Sequence, residues 1–277
     1  MSNNFKEEVA KGQRFEFGKN WTNFLSLLDE DRIRASEEAL VGYVGDLQGK
    51  RFLDAGSGSG LSSLAAHRKG AVVHSFDYDP QSFACTRELK ERYYPNDPGW
   101  KVEQASVLDT AYLNELGKFD IVYSWGVLHH TGNMWQALAN VDSLVAGNGI
   151  LFISLYNDQG MMSKVWAFHK KMYNRLPRPF KDLYAFIVMG SRELVSFLGN
   201  LVLLHPMRYV RYWTTSRGRG MSHYYDIIDW IGGYPFEVSK PEEIFHFFYN
   251  KGYELKDLKT CGGGMGCNEY VFQKKSS

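Results

Sequence analysis

Short apolar runs alternate with stretches of helical periodicity along the first 157 residues. Between the runs, apolar residues recur at helical spacing, as in Trp135, Leu138, Val141 and Leu144. Strands that alternate with helices through short connections predict right-handed crossovers and a parallel sheet covered by helices on both faces. The runs have the length of β-strands and are centred on Phe52–Ala55, Val72–Phe76, Lys101–Gln104, Phe119–Tyr123 and Ile150–Leu155.

The alternation stops after Asn157 and resumes near Ser239. The residues in between, up to Gly233, are aromatic, basic and compatible with helix, which predicts an inserted helical cap. Two final strands follow, at Tyr253–Thr260 and Asn268–Gln273. The glycine-rich link between them is too short for a crossover, so we expect an antiparallel pair.

The chain has 277 residues and a hydrophobic content of 44%, enough to bury the core of one large domain that carries an insertion. Its longest apolar stretch, Leu183–Leu204, is interrupted by Arg192 and Glu193, so we do not expect it to span a membrane. The first residues lack the pattern of a signal peptide. We therefore expect a cytoplasmic protein.

The net charge of +1 disfavours a dedicated nucleic-acid binder, but the positive charge is concentrated in the cap. Between Lys164 and Gly220, eleven Lys or Arg residues stand against two acidic residues. They are interleaved with aromatic residues, a mixture compatible with a solvated helix face, peripheral contact with an anionic membrane surface or a phosphorylated small molecule. Nucleic acid is the least favoured partner because no RNA-binding module is recognisable.

The segment Leu53–Gly60, LDAGSGSG, joins a predicted strand directly to a predicted helix. Glycines let the backbone turn tightly and approach a ligand closely, and the helix N-terminus offers free N–H donors. Asp77 follows Gly56 by 21 residues at the end of the second apolar run, where a carboxylate can accept hydrogen bonds from ribose hydroxyls. Together these features predict a nucleotide-type binding site.

Two ligand classes use such a turn, nicotinamide dinucleotides and S-adenosylmethionine. Dinucleotide sites space their glycines as G-x-G-x-x-G to seat a pyrophosphate, whereas here glycine occupies every second position from Gly56 to Gly60. The acid at the strand tip, Asp54, would repel a pyrophosphate and attract the cationic amino-acid end of S-adenosylmethionine. The spacing favours the methyl donor, with a nicotinamide-dependent oxidoreductase as the alternative.

Four segments resemble the successive motifs of class I S-adenosylmethionine-dependent methyltransferases. These segments are LDAGSGSG, DYD at Asp77–Asp79, ASVLD at Ala105–Asp109 and FDIVYSWGVLHH at Phe119–His130. The likeness is strongest to the small-molecule branch that includes ubiquinone-biosynthesis methyltransferases, and it covers Arg51–Asn157 and the chain from Ser239 onward. The resemblance implies S-adenosylmethionine as cofactor and S-adenosylhomocysteine as product.

The resemblance also implies which residues contact each part of that cofactor. Trp21, with Phe17, is a candidate lid, although the same segment could be a hydrophobic staple for the first helix. The implied contacts are Asp54, Gly56, Ser57 and Gly58 for the methionine end, Asp77 for the ribose, Val107, Leu108 and Asp109 for the adenine, and Ser124, Trp125, Gly126 and Val127 for the sulfonium, with Tyr78 as a further cofactor contact.

The acceptor side offers three candidate catalytic residues. His130 follows the fourth predicted strand, and an unperturbed imidazole titrates near neutrality, as a general base requires. Strand alternation would turn its neighbour His129 to the opposite face. His223 and Asp226, at the exit from the cap, are the other candidates, and attachment of the cap to the sheet is the alternative role for them. No cluster has metal-ligand spacing, so we expect no metal.

These patterns predict a seven-stranded, mostly parallel, doubly wound α/β sheet with an antiparallel C-terminal strand, the class I methyltransferase fold. Its parts would be an N-terminal helical lid (1–45), a cofactor-binding core (46–157), a helical cap on the substrate side (158–233) and a C-terminal helix and strand pair (234–277). The expected reaction is methyl transfer to an oxygen or nitrogen of a small molecule, with anionic, glycan-linked and lipid-linked acceptors all open. RNA or protein acceptors and a non-catalytic cofactor-binding adaptor are the alternatives.

Overall fold

A computed structural model describes residues 2–202, 207, 228, 230–262, 264 and 266–276. The helices are α1 (Ser2–Ala10), α2 (Gly18–Ser26), α3 (Glu30–Val44), α4 (Leu61–Arg68), α5 (Pro80–Tyr93), α6 (Thr110–Leu116), α7 (Met134–Asp142), α8 (Met161–Arg175), α9 (Arg178–Val202) and α10 (Pro241–Tyr249). The strands are β1 (Arg51–Ala55), β2 (Val72–Asp77), β3 (Trp100–Gln104), β4 (Phe119–Trp125), β5 (Val145–Tyr156), β6 (Tyr253–Lys259) and β7 (Cys267–Lys274).

The strands form one seven-stranded sheet in the order β3-β2-β1-β4-β5-β7-β6. The first five strands are parallel, and β7 runs antiparallel to both β5 and β6. The predicted fold class is therefore confirmed, including the antiparallel C-terminal pair. The order reverses between β1 and β4, and in open α/β sheets a crevice for ligands opens at the carboxyl ends of the strands beside such a reversal.

Two hydrophobic clusters cover the two faces of the sheet. One packs α7 and α10 against side chains such as Leu53 and Val122, and the other packs α3, α4 and α5 against side chains such as Phe52. Ile33 of α3 is fully buried in the second cluster, whereas Val41 of the same helix faces solvent. The sheet is thus a rigid base whose carboxyl edge remains for a site.

The segment between α1 and α2 is tied to the core by backbone and side-chain hydrogen bonds. Asp79 is the N-cap of α5, where Oδ1 accepts from the Gln81 N–H at 2.8 Å, and its Oδ2 accepts from the Gly18 N–H at 2.8 Å. The Arg14 guanidinium donates to the His130 carbonyl at 2.9 Å. These bonds hold the N-terminal helices over the carboxyl edge of the sheet.

The helices α8 and α9 lie in the chain between β5 and α10, within the stretch predicted as a cap. Among the residues described there, one cluster contains Trp166 and Tyr173 from α8, Ala185 and Met189 from α9, and Ile231. Each helix therefore has one face that packs on the protein.

By length and composition alone, α9 is long and apolar enough to cross a membrane, and 11% of its most apolar 18-residue stretch is buried. The argument that Arg192 and Glu193 interrupt this stretch is wrong. In a helix, both lie on the same side as the buried Ala185 and Met189, because the spacings of three, four, seven and eight residues share a face. The apolar side chains on the other side are not interrupted by charge.

We expect Asp79→Ala to lower the free energy of unfolding by about 1 to 3 kcal/mol, because it leaves two backbone N–H groups without their acceptor. Asp29→Ala, which removes the exposed N-cap of α3, should cost about 1 kcal/mol or less. Urea denaturation of both variants checks this. A loss for Asp79→Ala no larger than that for Asp29→Ala would show that the bond to Gly18 contributes nothing.

Candidate functional site

A cavity of about 940 Å³ lies at the carboxyl edge of the sheet. Its walls come from the N-terminal helices, the turn after β1, the ends of β2 to β5 and the start of β7. Cavities that bind small molecules are of this size, and the position beside the strand-order reversal is where such sheets bind ligands. The cavity is therefore the candidate site.

The turn between β1 and α4 is shaped by glycines that have no room for a side chain. Gly56 has a φ of 90°, and a Cβ there would lie 2.4 Å from the side chain of Val127. Gly58 has a φ of 56°, and its Cβ would lie 3.1 Å from the ring of Trp21. The positive φ and the close neighbours both require glycine, and Trp21 covers the turn as the predicted lid residue would.

Two carboxyl groups flank this turn, the buried Asp54 and the partly buried Asp77. Asp54 Oδ2 accepts from the Ser63 hydroxyl at 2.6 Å, and Asp77 accepts from the backbone N–H groups of Gly58 and Asp79, each at 2.9 Å. Burial raises the pKa of Asp54 to about 7. Burial and then repulsion from Asp79 raise the pKa of Asp77 to about 7 as well. A cationic ligand would favour the ionised form of both groups, so this pair fits the sulfonium and ammonium of S-adenosylmethionine.

The predicted adenine contacts are divided between the cavity and a helix cap. Val107 and Leu108 line the cavity. Asp109 is not among the lining residues, since its side chain is the N-cap of α6 and accepts from the Tyr112 N–H at 3.1 Å. The assignment of Asp109 to adenine is therefore corrected to helix capping.

The predicted sulfonium contacts are divided in the same way. Trp125 and Gly126 line the cavity at the end of β4. Ser124 does not, because its side chain is fully buried and its hydroxyl donates to the Ala55 carbonyl at 2.7 Å. Ser124 therefore links β4 to β1 instead of facing a ligand.

The N-terminal segment contributes a polar and aromatic wall to the cavity. The Tyr78 hydroxyl donates to Glu8 at 3.2 Å, and the Arg14 guanidinium lies over the Tyr78 ring at 5.0 Å. The Phe17 ring lies 4.7 Å from the His130 imidazole, centroid to centroid. The candidate lid residues Phe17 and Trp21 both line the cavity. The segment therefore forms part of the site and is not only a hydrophobic staple for its own helix.

The two histidines lie in a single turn of 3₁₀-helix, Leu128–His130, and not on the strand. Strand alternation consequently does not apply, and both side chains are buried and line the cavity. His129 Nδ1 lies 3.3 Å from the Tyr156 N–H, which donates to it.

His130 is held neutral by its surroundings. Its Nδ1 lies 2.7 Å from the Pro235 carbonyl oxygen, which can only accept, so Nδ1 carries the proton and Nε2 carries a lone pair. Burial lowers the pKa of His130 to about 3 against the effect of this hydrogen bond, and the nearby Lys170 lowers it further. The expectation that His130 titrates near neutrality is therefore wrong, although its free lone pair still suits proton acceptance.

The remaining catalytic candidates, His223 and Asp226, lie outside the described residues. The structure adds one residue that the sequence did not indicate, Glu269 on β7, which lines the cavity. Its carboxylate accepts from Trp125 Nε1 at 2.9 Å and from the Tyr43 hydroxyl at 2.8 Å. Pairing of β4 with β5 and of β5 with β7 brings Glu269 beside Trp125, a neighbourhood that only the long-range register creates.

The chain is similar in sequence to known methyltransferases. A family described as "Methyltransferase domain" matches residues 53–151. Ubiquinone biosynthesis O-methyltransferase of Glaesserella parasuis is 27% identical over 57% of this chain and 66% of its own length. The enzyme of the same name from Coxiella burnetii is 25% identical over 73% of this chain and 88% of its own length.

Solved structures support the fold. Magnesium protoporphyrin IX methyltransferase from Synechocystis PCC 6803, solved with bound S-adenosylhomocysteine (SAH), superimposes with a TM-score of 0.53 at 14% identity. The match covers 93% of this chain and 94% of that one. Both chains therefore share one architecture along almost their whole length.

We expect the affinity for S-adenosylhomocysteine to weaken as the pH falls through about 7, the raised pKa of Asp54 and Asp77 in the free protein. The ionised carboxylates bind the ligand's ammonium and hydroxyl groups, so binding lowers both pKa values and protonation opposes it. Calorimetric titration at several pH values measures this. Asp77→Ala should weaken binding about 5- to 150-fold above that pH, corresponding to about 1 to 3 kcal/mol.

The exposed Asp257→Asn is the matched control and should leave both the affinity and its pH dependence as in the wild type. If Asp77→Ala binds the ligand as tightly as the control does, the assignment of Asp77 to the ribose is wrong.

Proposed function

We propose that the chain is a class I S-adenosylmethionine-dependent methyltransferase that methylates an oxygen atom of a lipid-linked small molecule. The coarser statement, methyl transfer to a small molecule, follows from the methyltransferase family match, the relatives and the shared fold. The finer one is supported by the shape and lining of the cavity and by the two O-methyltransferases named above.

The cavity extends beyond the residues assigned to the cofactor. It continues along the face of the sheet beneath α3, where the short side chains of Ala35, Ser36 and Ala39 line it. We call this part the aromatic groove, after the rings of Tyr123, Trp125 and Phe152 on its sheet side and of Tyr43 on α3.

The aromatic groove suits a planar or hydrocarbon ligand. The Phe152 ring lies 4.6 Å from that of Tyr43 and 5.1 Å from that of Tyr123, so the groove has a nearly continuous apolar wall. Aromatic walls contribute both buried apolar area and ring contacts to binding. Glu269 is a polar group at this wall, held between Tyr43 and Trp125 and paired with Lys259 at 3.7 Å, and its carboxylate can accept a hydrogen bond from an acceptor hydroxyl. The groove is the observation that carries the choice of acceptor.

The residues around the glycine turn would hold the methyl donor. Asp54 would bind the ammonium and Asp77 the ribose, while the turn at Gly56 to Gly58 leaves space for the backbone to approach the ligand. When bound, S-adenosylmethionine supplies an electrophilic methyl group on a sulfonium. Trp21 and Phe17 cover this end of the cavity and keep water away from it.

His130 is the proposed proton acceptor. Its Nε2 lone pair is kept free by the bond from Nδ1 to Pro235, and its low pKa means that it starts neutral at physiological pH. A weak base is sufficient, because the acceptor oxygen forms its third bond, to the methyl carbon, as the carbon–sulfur bond breaks, and the proton on the resulting oxonium is strongly acidic. The protein's main contribution is to position the acceptor oxygen. The cytoplasmic location expected from the sequence stays a prediction.

We expect His130→Asn to lower kcat by about 100-fold or more and to leave the affinity for S-adenosylhomocysteine within about twofold. Asparagine can still donate to the Pro235 carbonyl but lacks the second ring nitrogen. Steady-state kinetics with a labelled methyl donor, beside calorimetry, checks this. Wild-type kcat should also show no inflection from His130 near an ordinary imidazole pKa of about 6.5. A variant that loses cofactor affinity but keeps its turnover would contradict the assignment.

The acceptor class is tested by incubating the protein and labelled donor with a cell lysate and extracting the products with organic solvent. We expect the label in the organic phase, and insensitivity to ribonuclease and protease. Ala39→Trp should fill the groove and lower this labelling at least about tenfold, with cofactor binding intact. Glu38→Trp, an exposed neighbour outside the cavity, is the control. Label retained in RNA or protein would overturn the proposed acceptor.

A further inference from the structure

The outer side of α9 is an exposed apolar surface. Phe186 is 76% exposed and Val195 is 70% exposed, although both are large apolar side chains. At about 100° per residue, Phe186 and Val195 mark the two edges of one half of the helix surface, the half that faces away from the buried Ala185 and Met189. The apolar face of α9 consists of Phe180, Leu183, Phe186, Ile187, Leu194, Val195, Phe197, Leu198, Leu201 and Val202, each at least 39% exposed.

No charged side chain lies on this face. At about 100° per residue, the five charged residues of α9 fall together on the opposite side, around the buried Ala185 and Met189. Those five are Arg178, Lys181, Asp182, Arg192 and Glu193. Apolar surface of this extent is uncommon on a soluble protein unless it has a partner.

The neighbouring helix α8 carries a row of cations beside a row of apolar residues. Lys164, Lys171 and Arg175 are exposed and follow one another at spacings of seven and four residues. Met161 and Phe168, 71% and 60% exposed, lie next to that row on the same outer side of the helix. A helix with apolar residues flanked by Lys and Arg is typical of a helix that lies in a membrane interface.

The charge distribution selects the partner. Lys164, Lys171 and Arg175 form the exposed cationic row of α8, and residues 159–181 contain no Asp or Glu that would neutralise them. In a symmetric dimer the same patch meets itself, so two copies would bring these cations together and repel. An anionic lipid surface attracts them and accepts the apolar face of α9.

The buried face of α9 determines how it would lie. Ala185 and Met189 pack in a cluster with Trp166, Tyr173 and Ile231, so one side of the helix is already occupied by protein. A helix with one packed and one exposed apolar side lies along the interface and does not cross the bilayer. Its 25 residues would extend for about 37 Å along the surface.

We propose that α8 and α9 form a membrane-binding surface for anionic phospholipid, with the apolar face of α9 in the acyl region and Lys164, Lys171 and Arg175 over the head groups. This surface follows the candidate site closely along the chain, because α8 begins five residues after Tyr156, which lines the cavity. The binding is independent of the methyl acceptor, so its test does not rely on the proposed function.

The experiment is flotation of the full chain with vesicles of phosphatidylcholine alone or mixed in equal parts with phosphatidylglycerol. We expect binding to the mixed vesicles, weakened by salt. The double variant Phe186→Glu/Val195→Glu should bind at least about tenfold more weakly. Lys164→Glu/Lys171→Glu should weaken binding by about tenfold or more and reduce its salt dependence. Tyr249→Glu, at a position 57% exposed on α10, is the control and should float as the wild type does.

Thermal melting and S-adenosylhomocysteine affinity, which we expect to be unchanged in all three variants, show that each is folded. Absence of wild-type flotation overturns the proposal, and so does a Phe186→Glu/Val195→Glu variant that floats like the control. Sedimentation that shows a dimer abolished by the same variant, without flotation, would identify a second copy of the chain as the occupant instead.

Discussion

Two carboxyl groups, the buried Asp54 and the partly buried Asp77, lie at the carboxyl edge of the sheet, and desolvation, with repulsion from Asp79 in the case of Asp77, raises both pKa values to about 7. The β1–α4 turn is built around them: Ser63 donates to Asp54, and the Gly58 N–H donates to Asp77. Desolvation raises the free energy of their ionised forms, and a bound cation would lower it again. The site is consequently complementary to a positively charged ligand and poor for a pyrophosphate.

The other parts of the site depend on this arrangement. Asp79, next to Asp77, caps α5 and binds Gly18, so the same strand end that presents the carboxyl also anchors the lid. Arg14 then joins the lid to the carbonyl of His130, whose imidazole Pro235 holds in one tautomer. Short hydrogen bonds thus connect the cofactor end of the cavity, the lid and the proton acceptor, and they fix the geometry of the site.

The sequence predicts the strands, the glycine turn and the acid after β2 because each is encoded locally, by periodicity or by backbone sterics. It misassigns Asp109 and Ser124, since proximity to a strand end does not distinguish a ligand contact from a helix cap or an inter-strand bond. The role of Glu269 cannot be predicted from the sequence for a different reason. Its neighbours come from β4 and α3, and only strand register and helix packing bring them together. The sequence-based argument that Arg192 and Glu193 interrupt the apolar stretch is wrong, because the linear order of residues does not show that both charges lie on one side of the helix.

The most direct test of this account is calorimetric titration of S-adenosylhomocysteine into the protein near pH 7, the raised pKa of the two carboxyls, in buffers with different ionisation enthalpies. If the buried carboxyls ionise on binding, the heat varies with the buffer and reports a net release of protons. Heats that do not depend on the buffer, or that report proton uptake, would contradict the claim that this pair is the cation-binding centre of the enzyme.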